Sequence, residues 1–521
     1  MNQVEIRKKQ IAAIAFIVYF AAIWCLRSVM GDNGLTYYAV SLLINEFIYR
    51  IFVGRSAGVI GRLIRGKNGR LQYRNQTKAK SRIFFYMFVF SLLSAVISAV
   101  SGYYLMRNAF KLPNGAILCV ILSGGFFLRG LTECLLGFFR AENQEMPAVT
   151  ASVLRVLAAL TFGMILCFVL KNYGSKVSAL LLNDDFAGVY GALGLSVGIV
   201  ISELFVFSFC MVIYRTQSRV NINSEGNRPM ENILSITRIL FAGRLQNIIM
   251  EALILLPLFF GLFFYALSSG EEIVTGSMGE YLSLHLFPCL IVFLIIDAVL
   301  IGHSRICANR FKTEELKNAR IALNALIHFS FMTGIFLSVF LLAFSVNFET
   351  AKVLISLGYF LISFMILTDV FAKAVYFSGR STYVYVGLLI MDAVFIISTI
   401  IILKAGKLGV LSLVLSGLIM YFAGTAIFGY MVLRQFSLVP DFIRMFIVPT
   451  AISGILGVVV YFAGRLIVPH LGLTLSMLVC FAVTALVYLI SLLLSRNFND
   501  SEYYVIPGGA FLDSFARLFG V

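Results

Sequence analysis

The chain has 521 residues, 60% of them hydrophobic and only 13% charged, about half the charged share of a soluble globular domain. That composition excludes an ordinary soluble enzyme, a disordered chain and a secreted disulfide scaffold. The 41 Lys and Arg outnumber the 25 Asp and Glu, a net charge of +16; beside so much apolar sequence this points to basic loops flanking a membrane, or basic groups within it, rather than to nucleic acid.

A spanning helix needs roughly 20 apolar residues. In chain order, apolar stretches fall at 10–31, 36–62, 83–106, 114–139, 147–170, 187–214, 232–265, 280–304, 320–346, 350–376, 382–403, 408–433, 442–464 and 471–495. They predict an all-α polytopic membrane protein of about fourteen transmembrane helices. The first stretch follows Arg7-Lys8-Lys9 and has no small-x-small cleavage site, so an uncleaved span with its basic end inside is expected. With both termini cytoplasmic, 25 basic residues fall in inside segments, 8 in outside loops and 8 within spans. Orientation thus accounts for most of the excess charge, and no nucleic-acid partner is expected.

The longest central polar break, 215–231, divides the chain into an N-lobe at 1–214 (spans 1–6), a cytoplasmic linker and a C-lobe at 232–435 (spans 7–12). Spans 13 and 14 at 436–495 and a cytoplasmic tail at 496–521 follow. Leu131-Thr132-Glu133 in span 4 and Leu367-Thr368-Asp369 in span 10 occupy equivalent places in the two halves. Such parallel repeats belong to transporters with a midplane site between halves.

Ionisable groups inside spans cost at least about 2.5–3.5 kcal/mol each, so they mark functional candidates. Glu46 with Arg50, Arg129 with Glu133, and Asp369 with Lys373 are four residues apart and can pair on one helix face. Arg27, Arg155 and Arg244 have no acid one turn away on their own helix. Facing a shared cavity, they would suit a phosphate or diphosphate. Arg55 and Arg62 can snorkel to the cytoplasmic face. Asp297, Asp369 and Asp392 are candidates for a coupling Na⁺ or proton, with Glu46 and Glu133 as coupling or cavity-pairing acids. Pro257 and Pro288 are expected to kink spans 7 and 8. The eight cysteines read as buried thiols and the four histidines share no ligand spacing, so no metal centre and no resident cofactor are expected. Nucleotide-binding and hydrolase motifs are absent, and an enzyme is not expected.

The segment Leu26-Arg27-Ser28-Val29-Met30-Gly31-Asp32-Asn33-Gly34-Leu35-Thr36-Tyr37-Tyr38 resembles the Arg–x–x–Leu–Gly–x–x–Gly–x–x–Tyr opening of the multidrug/oligosaccharidyl-lipid/polysaccharide (MOP) exporter superfamily. It looks closest to the stage V sporulation protein B and lipid II flippase branch. Gly137-Phe138-Phe139-Arg140-Ala141 with Met146-Pro147-Ala148 is similar to that family's segment between spans 4 and 5. Leu136 replaces its Arg, and Arg140 its Gln. The tail from Ser501 to Leu512 is similar to the branch's short cytoplasmic ending. The resemblance implies two six-helix lobes around a central cavity, two extra C-terminal helices forming a lipid-facing groove, and alternating access. It implies a flippase for a polyprenyl-diphosphate-linked glycan, a monomer among membrane lipids of a bacterial cytoplasmic membrane. Arg27 and Arg50 or Arg55 would hold the diphosphate, with Arg155 and Arg244 as further candidates. The alternative is an ion-coupled multidrug or cation antiporter of the same fold.

Overall fold

The computed structural model describes all residues except 1–2, 55, 69–72, 219–232, 270, 313–315, 347–355, 407, 439 and 519–521. Arg55 and the linker core therefore lie outside the described residues. Among the described residues thirteen helical segments are long and apolar enough to cross a membrane. The first of them, Gln10–Arg65, contains two spans, giving the fourteen expected. No strand occurs among the described residues. The protein is an all-α multi-pass membrane protein.

The two spans meet inside α1 (Gln3–Phe52) at Gly31, where φ is 73° and ψ 173°. That backbone region is essentially open only to glycine. The arms fold back on one another, bringing the Tyr19 and Tyr38 hydroxyls to 2.6 Å. Next come α2 (Ser56–Asn68) and α3 (Tyr73–Tyr104), which runs into a π-helical turn at Leu105–Ala109. The helices α4 (Ala116–Ala141), α5 (Met146–Leu181) and α6 (Asp185–Ser218) complete the first six spans. After the linker lie α7 (Ile233–Ser268) and α8 (Glu271–Glu280). Residues Arg7–Ser283 form one compact unit, so α7 and α8 pack with the first six spans. Its core joins Tyr49, Val53 and Ile60 to Ile83 and Met87 of α3, Phe126, Cys134 and Phe138 of α4, and Val206 and Cys210 of α6.

Span 5 is longer than its apolar stretch. Lys171 and Lys176, expected in a loop, lie within α5. The helix continues because it packs closely on α6. A Cβ at Gly174, within the added length, would stand 2.8 Å from the Phe186 carbonyl of α6, and one at Gly194 2.5 Å from the Leu166 carbonyl. Backbones approach this closely only where side chains are missing.

The second unit is built on Leu284–Val521. It contains α9 (Phe287–Lys312), α10 (Leu316–Ser345), α11 (Leu361–Phe377), α12 (Ser381–Gly406) and α13 (Leu411–Phe436). Spans 13 and 14 are α14 (Val448–Leu471) and α15 (Leu473–Leu494). Pro288 is the second residue of α9, directly after a π-helical segment at Tyr281–Leu286. The missing N–H thus coincides with a change of helical register. Pro257 lies inside α7.

The tail folds onto this unit as α16 (Asp500–Tyr503) and α17 (Gly509–Leu518). Arg444 donates to the Asn497 carbonyl at 2.5 Å, to the Asn499 side chain, and to Glu502 at 3.2 Å. Buried His328 of α10 lies 3.0 Å from the Asn497 amide and 3.5 Å from Glu502. Burial alone would raise the Glu502 carboxyl. His328, the Asn499 N–H and Arg444 outweigh it and hold the group below the usual carboxylate range.

Candidate functional site

In the first unit the described ionisable candidates other than Glu133 have been drawn into specific arrangements. Arg27 grips Asp32 across the Gly31 break, Nε to Oδ1 at 2.5 Å and Nη2 to Oδ2 at 3.2 Å. This is a two-pronged pair, and both side chains remain about 30% exposed, at 31% and 29%. Helical spacing could not reveal it, because the partner lies five residues on and beyond the break.

About one turn past the middle of the second arm, Glu46 accepts from Arg50 Nε and from Arg129 Nη1, each at 2.8 Å. Arg50 Nη1 in turn donates to Glu251 of α7 at 2.6 Å. Two acids and two arginines thus alternate across α1, α4 and α7, and their charges cancel. The Arg129 guanidinium also lies 5.0 Å above the Tyr49 ring and 5.5 Å from Phe126. The expected Glu46–Arg50 pair is present; the Arg129–Glu133 pair is not among the salt bridges. Sequence polarity supplies the reason. An acid four residues before a base is the favourable order on a helix, and Arg129 precedes Glu133. Glu46 on the neighbouring helix offers the better partner, and Glu133 has no ion-pair partner within 4 Å among the described residues.

Arg155 of α5 meets Glu203 of α6 at 2.7 Å, with side-chain exposures of 13% and 3%. The approach is off the hydrogen-bond line, leaving Arg155 Nε and Nη2 and Glu203 Oε2 without a hydrogen bond among the described residues. Arg244 of α7 is buried and donates to the Phe52 carbonyl, the last residue of α1. There it satisfies an orphan carbonyl at the negative end of the helix dipole, with its guanidinium 5.2 Å above the Phe90 ring. Arg27 and Arg155 therefore carry counter-charges from outside their own turn, and Arg244 lies on a helix end.

The second unit holds the converse arrangement. Lys373 donates to Asp297 of α9 and to Asp369 at 2.6 Å on its own helix. The same-helix pair expected at Asp369 and Lys373 is present, with Asp297 added from α9. Asp392 of α12 is buried, and its Oδ2 has no hydrogen bond among the described residues. Glu133 and Asp369, the acids of the repeated Leu-Thr-acid triplet, each stand eight residues before the last residue of their helices, α4 and α11. Among the described residues no group of three or more His, Cys, Asp or Glu could hold a metal ion.

No protein-family model matches the chain, and no curated protein matches it. Solved structures do. A multidrug resistance MATE transporter of the MOP superfamily, in an inward-facing conformation, is 12% identical over 81% of this chain and 94% of its own, with a TM-score of 0.59. A lipid II flippase, MurJ, in an inward closed conformation, is 15% identical over 92% of this chain and 97% of its own, with a TM-score of 0.57. The chain has the MOP exporter fold. A eukaryotic MATE transporter shares it at 17% identity, covering 82% of this chain and 95% of that one, with a TM-score of 0.54. The MOP fold expected from the opening motif is the observed one.

Proposed function

We propose that this protein is an alternating-access exporter carrying a polyprenyl-diphosphate-linked glycan, such as lipid II or a polysaccharide repeat unit, across the bacterial cytoplasmic membrane. Coverage is the observation that carries the reading. The lipid II flippase aligns with 92% of the chain and the two MATE transporters with 81% and 82%. The difference is on the order of 50 residues, about the length of two spans.

In this reading Arg27 and Arg50 hold the diphosphate; Arg55, the alternative to Arg50, lies outside the described residues. Arg27 and Arg50 keep 31% and 26% of their side chains exposed and present planar forks. Asp32, Glu46 and Glu251 then act as placeholders: they neutralise the guanidinium groups when the site is empty and yield them to phosphate oxygens on binding. Exchanging one anion for another avoids leaving a bare charge in a low-dielectric interior. We assign Arg155 and Arg244, both largely buried, to holding the unit together. Asp297, Asp369 and Asp392 are the coupling groups for Na⁺ or a proton.

The second reading is an ion-coupled antiporter of organic cations. It is favoured by the cancelled charge around Glu46 and, inside α9, α11 and α12, by Asp297, Asp369 and Asp392 against Lys373. A thermal-shift screen of the purified protein separates the two. Lipid-linked glycans should raise the midpoint and organic cations should leave it unchanged; the opposite ranking establishes the antiporter.

A further inference from the structure

Arg140 replaces a glutamine of the family pattern, and the structure shows where it goes. It lies along one face of α2, the face that carries Gly58, Gly61, Arg62 and Arg65 at helical spacing. A Cβ on Gly61 would come within 3.1 Å of Arg140 Cβ, and one on Gly58 within 3.9 Å of its Nη1. The two glycines leave that strip of α2 open for the Arg140 side chain. Arg65 Nη2 donates to the Arg140 carbonyl at 2.7 Å, at the C-terminal end of α4. All three arginines are exposed. No carboxylate lies within 4 Å of any of them among the described residues, because the nearby Glu142 is held by Lys80 at 2.8 Å. Between Arg62 and Arg82 the sequence carries eight basic residues and no acidic one.

The geometry points to a binding site for the phosphate of an anionic membrane phospholipid, formed by Arg62, Arg65 and Arg140 on the first unit. Three like charges gathered on one glycine-cleared face repel one another unless an anion joins them, and guanidinium forks match phosphate oxygens. The neighbouring surface selects a lipid over a soluble anion. Phe85 of α3 is 63% exposed, and it stands five residues, about 7 Å of helix axis, beyond Lys80. Met146, six residues after Arg140, is 62% exposed. Exposed apolar residues thus follow the basic ones within two turns of chain on α3 and past the end of α4, as a headgroup and its chain require. The site is independent of which substrate the exporter carries.

Native mass spectrometry of the delipidated full chain in neutral detergent tests this, with phosphatidylglycerol, phosphatidylcholine and glycerol phosphate as probes. Phosphatidylglycerol should bind preferentially and weaken as salt is raised. Arg62→Gln removes a guanidinium with no hydrogen bond to the described chain, so it should leave folding intact and weaken phosphatidylglycerol binding about fivefold, the effect of one basic residue at an anionic surface. Arg62→Gln with Arg65→Gln and Arg140→Gln should abolish the preference over phosphatidylcholine. Parental phosphatidylglycerol affinity in the triple variant would overturn the site. So would glycerol phosphate competing as well as the intact lipid, or a polyprenyl diphosphate binding there while phosphatidylglycerol does not.

Discussion

Glu46 is the residue on which the first unit's electrostatics turn, since it answers Arg50 and Arg129 at once. Glu46→Gln leaves Arg129 without its carboxylate in a largely buried place and Arg50 with Glu251 alone, and a loss of about 3 kcal/mol is expected. Adding Arg129→Gln should recover part of it, which a double-mutant cycle on the unfolding midpoint would show; strictly additive losses would mean the two do not interact. Glu502 gives a pH dependence outside the membrane. Its carboxyl is held below the ordinary value, so its contribution is complete above the unfolded value of about 4.3 and is lost as pH falls through the folded one. Hydrogen exchange over 497–512, taken relative to the intrinsic amide rate at each pH, should therefore quicken on acidification. In Glu502→Gln it should be fast at neutral pH already; parental protection in that variant would show that the carboxylate does not hold the tail. Which charges sit inside spans is legible from the sequence, and same-helix pairs with the acid first are too. Partners on other helices, such as Glu251 for Arg50 or Glu203 for Arg155, have no local signature, because only tertiary packing brings them within 3 Å.

The helical elements show where apolar length suffices as a guide and where it does not. Span 14 was readable to within two residues, whereas α14 runs seven residues past the expected end of span 13 at 464 and α5 outruns its apolar run beside α6. Gly31 is an element boundary that the apolar pattern does locate, since the first stretch ends at 31 and the second opens at 36 with Asp32, Asn33 and Gly34 between them. Gly31→Ala places a Cβ at φ 73° and ψ 173° and should destabilise by about 1–3 kcal/mol. It should also shift the Arg27–Asp32 pair, which spans the break. A thermal midpoint equal to that of the parent would show that the turn relaxes into an ordinary conformation. Gly194→Ala, whose Cβ meets the Leu166 backbone at 2.5 Å, should separate α5 from α6 and lower the midpoint; an unchanged value would mean that the two backbones can part freely.

At the scale of the whole molecule, the fold and the span count were legible because membrane insertion constrains composition so strongly. The charge balance was only half legible. Most of the +16 follows from orientation, but the intramembrane arginines that read as a cationic cavity are mostly matched by acids, so substrate charge does not follow from counting them. The proposal therefore rests on exposed, exchangeable pairs at Arg27 and Arg50 and on the extent of the chain shared with a lipid II flippase. The direct measurement is translocation of a labelled polyprenyl-diphosphate-linked glycan in proteoliposomes containing the purified protein. The account predicts protein-dependent flipping that Arg27→Ala abolishes while membrane insertion persists. The absence of flipping by the parent protein, with proton- or Na⁺-driven uptake of an organic cation in the same vesicles, would contradict it.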